Sequence, residues 1–297
     1  MSRTDQPGAG PDPDPPVASD GAPVRFSDHV VPVYSIAKTY TAAAALLALD
    51  PEAGLRRYLS HAVVPGALGE LRVADVLAHR SGLNDYGGWA DYVAAVVTRE
   101  DAWPTERVLA RAEVGAPGAF AYSNIGYLLI RLALEAVDGS EFFEVLRERV
   151  LDPLGVPAHP FDARADWDAC AHPAIEHDLR AYDPAWVYTG TFATTPADAA
   201  RGIARLVRGE LGEDLAQRMR HPRPVHAPGH PLHPAGYGLG LMTSGDPARL
   251  VGHGGGGPGF TLFALSTHDG AAWHGTAAAG GALLTDLAQD CVMALTR

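Results

Sequence analysis

Apolar residues recur at helical spacing along much of the chain, and several of these runs carry their own start or stop signal. The alanine-rich run IAKTYTAAAALLAL follows Ser35 and meets an Asp-Pro pair at 50–51, which predicts a helix that begins at the serine. The run NIGYLLIRLALEAVDG ends in Gly139. Ser140 and Thr195 each precede an acidic first turn, so both are predicted to cap the helices that follow them.

Strand patterns are concentrated in the last third of the chain. The stretches RLVGHGGG, GFTLFALSTHDG and AAWHGTAAAG predict successive strands, with HDG as a hairpin turn, and ALLTDLAQDCVMAL predicts a closing amphipathic helix. This order of elements predicts an α/β (α+β) fold in which an antiparallel sheet is flanked by helices. We expect an α/β lobe from both chain ends, residues 24–60 and 185–297, and a mostly helical lobe from residues 61–184.

Composition and charge narrow the range of partners. Because 47% of its 297 residues are hydrophobic, the chain can bury a substantial core. The net charge of −12 is spread along the chain without a basic stripe, so neither nucleic acid nor an anionic membrane is expected as a partner. No apolar run approaches the ~20 residues that a membrane helix needs.

The ends and the cysteines add expectations about location and cofactors. Residues 1–23 are rich in Pro, Gly and Asp and are predicted to form a disordered tail. They lack the apolar centre of a secretory signal, so a cytoplasmic location is expected. Cys170 and Cys291 lie far apart without metal-ligand spacing and are expected to be free thiols. We expect neither a cofactor nor a metal ion.

One lysine stands out among the basic residues. Lys38 is the only lysine of the chain, and it follows Ser35 by three residues. Residues three apart on a helix are neighbours, so the amine can reach the serine hydroxyl. A lysine whose pKa is lowered by burial can take the proton of the hydroxyl, whereas an arginine stays protonated. The alternative is an N-cap serine beside a surface lysine.

Two further stretches contain candidate chemistry. Tyr122 and Asn124 stand in YSN, directly before a predicted helix; the tyrosine can carry a proton if cations lower its pKa, and the asparagine amide can hold a carbonyl. His253 opens GHGGGGPGF and can exchange a proton near neutral pH, while the glycines allow close backbone approach. Taken singly, the first stretch is equally a turn with a helix cap, and the second a flexible glycine hairpin.

In this order and spacing, the three stretches resemble the serine β-lactamase-like superfamily, in particular its branch of class C β-lactamases, D-aminopeptidases and family VIII carboxylesterases. RVADVLAHRSGLNDYG, FATTPADAARGIARLVRGEL and GYGLGLMTSGD resemble further segments of that family. The resemblance implies that Ser35 is the nucleophile, Lys38 its activating partner and Tyr122 the shared base and acid. It also implies that Asn124 positions the substrate.

The glycine-rich stretch has implied roles as well. His253, Gly254 and Gly255 stand where penicillin-binding enzymes have Lys-Thr-Gly, and are expected to contact the substrate. The amides of Ser35 and Gly256 are expected to form the oxyanion hole. The implied reaction is acyl transfer through an acyl-serine ester.

The chain departs from the family pattern in two places. Family members usually carry two strands and a helix before the serine motif, whereas little more than one or two short strands fit before Ser35. We therefore expect a smaller sheet of about three or four strands, with a bare edge covered by the tail or by a second copy in a homo-oligomer. Because His253 replaces a lysine that helps hold a carboxylate, neutral esters or amides are expected to be better substrates than β-lactams.

Several alternatives remain open from the sequence. The leading function is a serine hydrolase of a small ester or amide; the others are an acyltransferase of specialised metabolism, a D-amino-acid amidase or peptidase, and a catalytically weak binding module. The complete Ser-Lys-Tyr set argues against the last. The four histidines within 221–233 are either metal ligands or part of a mobile rim loop, with the loop favoured. Trp186 and Tyr188 line the pocket or belong to the core.

Overall fold

A computed structural model describes residues 24–226, 229–245 and 247–297. The predicted disordered tail, residues 1–23, lies outside the described residues. The ten strands of the described ranges, β1 to β10, are Arg25–Phe26, Val31–Pro32, His159–Pro160, Phe192–Thr194, Arg223–Pro224, Ala235–Tyr237, Met242–Gly245, Ala248–Gly257, Phe260–Thr267 and Trp273–Ala279. Their ten α-helices, α1 to α10, are Ala37–Ala48, Val73–Leu77, Ala90–Val97, Thr105–Leu109, Asn124–Asp138, Phe142–Leu146, His177–Arg180, Pro196–Val207, Glu213–Arg220 and Leu284–Thr296.

The main sheet is antiparallel and covered by helices on both faces. Its strand order is β1-β10-β9-β8-β7-β6-β5. Along β9, Leu262 belongs to the larger core that includes Ile203 of α8, while Phe263 packs with Leu287 and Cys291 of α10. Successive strand residues point to opposite faces, so FTLFALST buries both of its faces. The predicted α/β class with a helix-flanked antiparallel sheet is confirmed.

The expectation of three or four strands is wrong, because the main sheet has seven. The first strand is short as expected and pairs only with Ala277 and Ala278. The extra strands lie at the other edge, where β5 pairs with β6 inside the histidine- and proline-rich segment assigned to a rim loop. Proline lacks an amide donor and is tolerated at a sheet edge, so Pro224 does not prevent pairing there.

Two of the three helix boundaries that were predicted from cap residues are confirmed. Gly139 ends α5 with a φ of 68°. Thr195 caps α8, and its hydroxyl oxygen accepts a hydrogen bond from the amide of Asp198 at 3.0 Å. Ser140 is not a cap: α6 follows Glu141, which has no side-chain cap bond.

The first helix begins later than predicted. Ser35 lies in a 3-10 turn, Tyr34–Ile36, and α1 begins at Ala37. The turn runs directly into the helix, so Ser35 and Lys38 stay close. A second, small sheet in the order β2-β4-β3 lies beside this turn, since the amide of Val33 donates to the carbonyl of Phe192 at 3.0 Å.

Other sequence expectations have simple outcomes. Cys170 and Cys291 are free and buried. Across residues 24–226, 229–245 and 247–297, no helix is long and apolar enough to cross a membrane. The same ranges contain no group of three or more His, Cys, Asp or Glu side chains placed to hold a metal ion. The division into two lobes stays a prediction.

Candidate active site

The Ser35–Lys38 pair is formed as its spacing predicts. Lys38 is 1% exposed, and its Nζ donates to Ser35 Oγ at 3.0 Å. Burial lowers the pKa of Lys38 to about 7, although the carboxylate of Asp85 acts in the opposite direction. An amine with this pKa is partly neutral at neutral pH, and a neutral amine can accept the proton of a hydroxyl.

Tyr122 completes a cluster with this pair. Its hydroxyl hydrogen-bonds Ser35, and its ring centroid lies 5.3 Å from Lys38 Nζ. Burial raises the pKa of Tyr122 well above its usual range, while the hydrogen bond to Ser35 lowers it less. The condition named from the sequence, a pKa of Tyr122 lowered by cations, is therefore not met. Tyr122 is a neutral proton donor in this state, and Lys38 is the group that can lose a proton near pH 7.

Asn124 is held by a carboxylate that sequence reasoning missed. The backbone amide of Asn124 donates to Asp85 Oδ1 at 2.7 Å, and its side-chain Nδ2 donates to Asp85 Oδ2 at 3.3 Å. This fixes the direction of the Asn124 amide, and among the described residues its oxygen has no hydrogen-bond donor, so it can accept from a substrate. The only sequence signal for Asp85 is its place in SGLNDYG, a segment that was noted for its resemblance alone.

The residues around Asp85 hold the whole YSN corner. His79 accepts the amide of Ser123 at Nδ1, at 3.1 Å, and its own carbonyl accepts the amide of Ala121 at 2.8 Å. Ser123 Oγ donates to the carbonyl of Asn84 at 2.7 Å. The imidazole of His79 also lies against the ring of Tyr122, with centroids 4.2 Å apart. Burial lowers the pKa of His79 well below its usual range, so this support is uncharged.

His253 does not reach the pocket beside Ser35. It is fully buried, and its Nε2 lies 3.0 Å from the hydroxyl of Tyr237. Its Nδ1 lies 2.6 Å from the carbonyl of Gly254, which can only accept, so Nδ1 carries the hydrogen and Nε2 accepts from Tyr237. Burial lowers the pKa of His253 to about 3. The imidazole is thus a neutral core group, and its expected contact with substrate stays a prediction without geometric support.

The glycines after His253 let the strand pass close to the nucleophile. A Cβ on Gly254 would lie 2.6 Å from Leu284, and one on Gly255 would lie 2.2 Å from the carbonyl oxygen of Val33. Gly256 faces open space and lines the pocket that contains Ser35. A close backbone approach therefore explains this run better than flexibility does.

The pocket at Ser35 has a volume of about 270 Å³. Asn124, Gly256 and four tyrosines line it, and its described lining includes no Asp, Glu, Lys, Arg or His. The tyrosines are Tyr34, Tyr86, Tyr92 and Tyr182. The sequence did not decide whether Trp186 and Tyr188 line the pocket or belong to the core. Both are buried core residues, with ring centroids 6.1 Å apart. Val187 between them lines the pocket.

A serine and a low-pKa lysine at the start of a helix, with a tyrosine hydroxyl and a glycine-rich strand beside them, define a serine hydrolase with a β-lactamase-like fold. A sequence model of the beta-lactamase family matches residues 16–282. The chain therefore belongs to the beta-lactamase family, as the motif resemblance indicated. Among curated protein sequences, none matches it.

Solved structures share the fold at low identity. A D-stereospecific amidohydrolase from Streptomyces sp. is 22% identical, with a TM-score of 0.68, over 86% of this chain and 83% of its own. A D-amino acid amidase from Ochrobactrum anthropi SV3, complexed with D-phenylalanine, is 19% identical, with a TM-score of 0.68, over 91% and 85%. An octameric penicillin-binding protein homologue from Pyrococcus abyssi is 19% identical, with a TM-score of 0.70, over 90% of this chain and 66% of its own.

Proposed function

We propose that this serine hydrolase cleaves a small, uncharged ester or amide through an acyl-Ser35 intermediate. Neutral Lys38 takes the proton of Ser35 Oγ as the oxygen attacks the substrate carbonyl carbon. The negative oxygen of the tetrahedral intermediate faces the amides of Ser35 and Gly256. As the bond to the leaving group breaks, Tyr122 donates its proton to that group and is reprotonated from Lys38. Water then cleaves the acyl ester by the reverse proton route.

The observation that carries this proposal is the contact of Lys38 Nζ with Ser35 Oγ at 3.0 Å, in a site where burial lowers the pKa of the lysine to about 7. A proton acceptor with a pKa near the working pH is what a general base needs. The raised pKa of Tyr122 keeps its hydroxyl protonated, so that it can pass a proton from Lys38 to the leaving group as a relay.

The substrate class follows from the pocket walls. The described lining has no charged side chain, and His253, which stands at the position of the family lysine, is neutral and buried. A substrate carboxylate would lose its water without gaining a cation, which is unfavourable. Uncharged esters and amides avoid this cost.

A D-amino-acid amide is the second candidate. It is favoured by Asp85, whose Oδ2 lies 2.9 Å from the point that a Cβ on the pocket-lining Gly87 would occupy. A substrate ammonium group near Gly87 would lie close to this carboxylate. Two of the structural relatives are named as a D-stereospecific amidohydrolase and a D-amino acid amidase.

The test is to identify the acylated residue and the preferred substrate. The protein is incubated with p-nitrophenyl butyrate, quenched and mapped by mass spectrometry, with Ser35→Ala as control. We expect an adduct on Ser35 and a higher kcat/KM for p-nitrophenyl butyrate than for nitrocefin. An adduct elsewhere with Ser35→Ala fully active contradicts the nucleophile, and a preference for nitrocefin contradicts the uncharged substrate. Faster turnover of D-phenylalanine amide than of the ester would select the second candidate.

Transfer of the acyl group to an acceptor other than water would show as a new product when alcohols or amines are added. A cytoplasmic location and the lack of a nucleic-acid partner stay proposals, and the dispersed net charge of −12 supports the second of them.

A further inference from the structure

We infer that Tyr34 limits the size of the acyl group, so that the site accepts compact, uncharged acyl groups and excludes larger ones. This inference rests on the proposed acyl-serine reaction. It concerns the residue directly before the nucleophile, to which neither the motif resemblance nor the mechanism gives a role.

The backbone of Tyr34 is unusual for its residue type. Its φ is 48°, in the left-handed region that glycine adopts freely and other L-residues adopt only against steric strain. Such strain persists only where surrounding contacts hold the residue in place, and it is concentrated at functional sites. The carbonyl of Tyr34 is also fixed, because Thr191 Oγ1 donates to it at 3.3 Å.

The side chain of Tyr34 is locked at both ends. Only 2% of the residue is exposed, and its hydroxyl donates a hydrogen bond to the carbonyl of Pro258, in the turn after β8. The ring lies over Gly257, where a Cβ would come within 2.5 Å of it. Glycine at 257 therefore leaves room for the ring, and the ring cannot swing away without losing the bond to Pro258.

The locked ring forms one wall of the pocket beside Ser35. Tyr34 lines the same pocket as Ser35 and Gly256, and Tyr86 and Tyr182, which are 3% and 2% exposed, form other parts of its wall. At about 270 Å³ the pocket is below the roughly 300–1,000 Å³ of cavities that hold drug-sized ligands. In the proposed reaction the acyl group stays bonded to Ser35 after the leaving group departs, so a rigid wall in the pocket beside Ser35 restricts the acyl group.

The test compares acyl groups of different size on one leaving group. For p-nitrophenyl acetate, benzoate and 2-naphthoate, kcat/KM is measured with the wild type, Tyr34→Gly and Tyr34→Phe. Both substitutions remove the hydroxyl, but only glycine removes the ring. We expect the naphthoate-to-acetate ratio of kcat/KM to rise about tenfold or more in Tyr34→Gly. In Tyr34→Phe, which keeps the ring but loses its bond to Pro258, the ratio should rise less.

The ratio within one variant cancels any general loss of activity. If Tyr34→Gly does not fold, as judged by its melting curve, Tyr34→Asn replaces it, because asparagine also tolerates a positive φ. In Gly257→Ala, the added methyl group would press on the Tyr34 ring that lies over residue 257 and narrow the pocket, so the ratio should fall. An unchanged ratio in every folded variant, or equal loss with all three esters, overturns the inference. If the wild type itself forms no Ser35 adduct with any ester, the proposed function fails instead.

Discussion

Lys38 owes its proposed role to its surroundings. It lies 5.3 Å and 5.6 Å from the ring centroids of Tyr122 and Tyr127, and burial lowers its pKa from the usual ~10.4 to about 7. Asp85 is too weak a counter-influence to restore the usual value. The same burial raises the pKa of Tyr122. Of Lys38 and Tyr122, the lysine is therefore the better proton acceptor for Ser35.

Replacement of Lys38 by arginine separates a base from a positive charge. Because arginine cannot give up its proton, Lys38→Arg should slow acylation of Ser35 by about 10²–10⁴-fold. Lys38→Met, which preserves most of the packing, should lose a similar factor. The acylation rate with p-nitrophenyl butyrate is measured by stopped flow, and melting curves confirm that each variant is folded. A folded Lys38→Arg protein with an acylation rate near that of the wild type would exclude Lys38 as the base.

The pH dependence of acylation provides an independent prediction. The neutral form of Lys38 is the reactive one, so the rate should be low below the pKa of about 7, rise through it and level off above it. The rise should be absent from the residual rate of Lys38→Arg. The profile of single-turnover acylation between pH 5 and about 9 tests this. A wild-type rate that does not change across this interval would contradict the assignment.

At the level of elements, the active site depends on a contact between two segments distant in sequence. The loop after α2, residues 79–85, holds the corner before α5 through His79 to Ser123 and Asp85 to Asn124. Asn124 begins α5. The loop therefore sets both the start of the helix and the position of Tyr122 above Ser35.

Asp85→Asn should change the reaction in two ways. It weakens the hold on Asn124, which should lower kcat/KM about tenfold or more, since a hydrogen bond to a charged group contributes about 1.5–3 kcal/mol. It also removes the negative charge that raises the pKa of Lys38, so the rise of the acylation profile should move to lower pH. A purely structural role of Asp85 would not produce this shift.

The matched control for Asp85 is Asp214→Asn. Asp214 is 79% exposed and pairs with Arg218 on the surface of α9. Both its kcat/KM and its pH profile should equal those of the wild type. If the profile of Asp85→Asn coincides with that of the control, the electrostatic part of the prediction is wrong.

For the molecule as a whole, the β1–β10 edge of the main sheet determines whether the protein can associate through strand pairing. Among the described residues, β1 covers β10 only at Ala277 and Ala278, and Trp273 near the start of β10 is 40% exposed. An unpaired strand edge is a template for association.

We therefore predict that a second copy of the chain covers this edge. Light scattering after size exclusion should give an oligomer for the wild type and a monomer for Trp273→Glu, because a charge at the edge blocks pairing. Leu47→Glu, at an exposed position of α1, is the control and should leave the mass unchanged. A monomeric wild type at micromolar concentration would refute the prediction.

Local signals in the amino-acid order were sufficient for much of this protein. The end of α5 at Gly139, the cap of α8 at Thr195 and the last three strands follow from preferences that act within a few residues. The proximity of Ser35 and Lys38 also follows, because a spacing of three survives the change from an α-helical to a 3-10 turn. These features need no knowledge of distant contacts.

Tertiary structure decided the properties that depend on burial and on long-range pairing. The fold buries His253 in the core, and burial raises the pKa of Tyr122. It also places Asp85 beside Asn124 and the ring of Tyr34 over Gly257. Each of these requires residues far apart in the chain to meet, and a pKa follows the desolvation that such meetings cause. On an exposed surface, the same residue types at the same spacing would keep their usual pKa values and would have no pocket beside them. The reactivity of this site therefore depends on the burial that the fold provides.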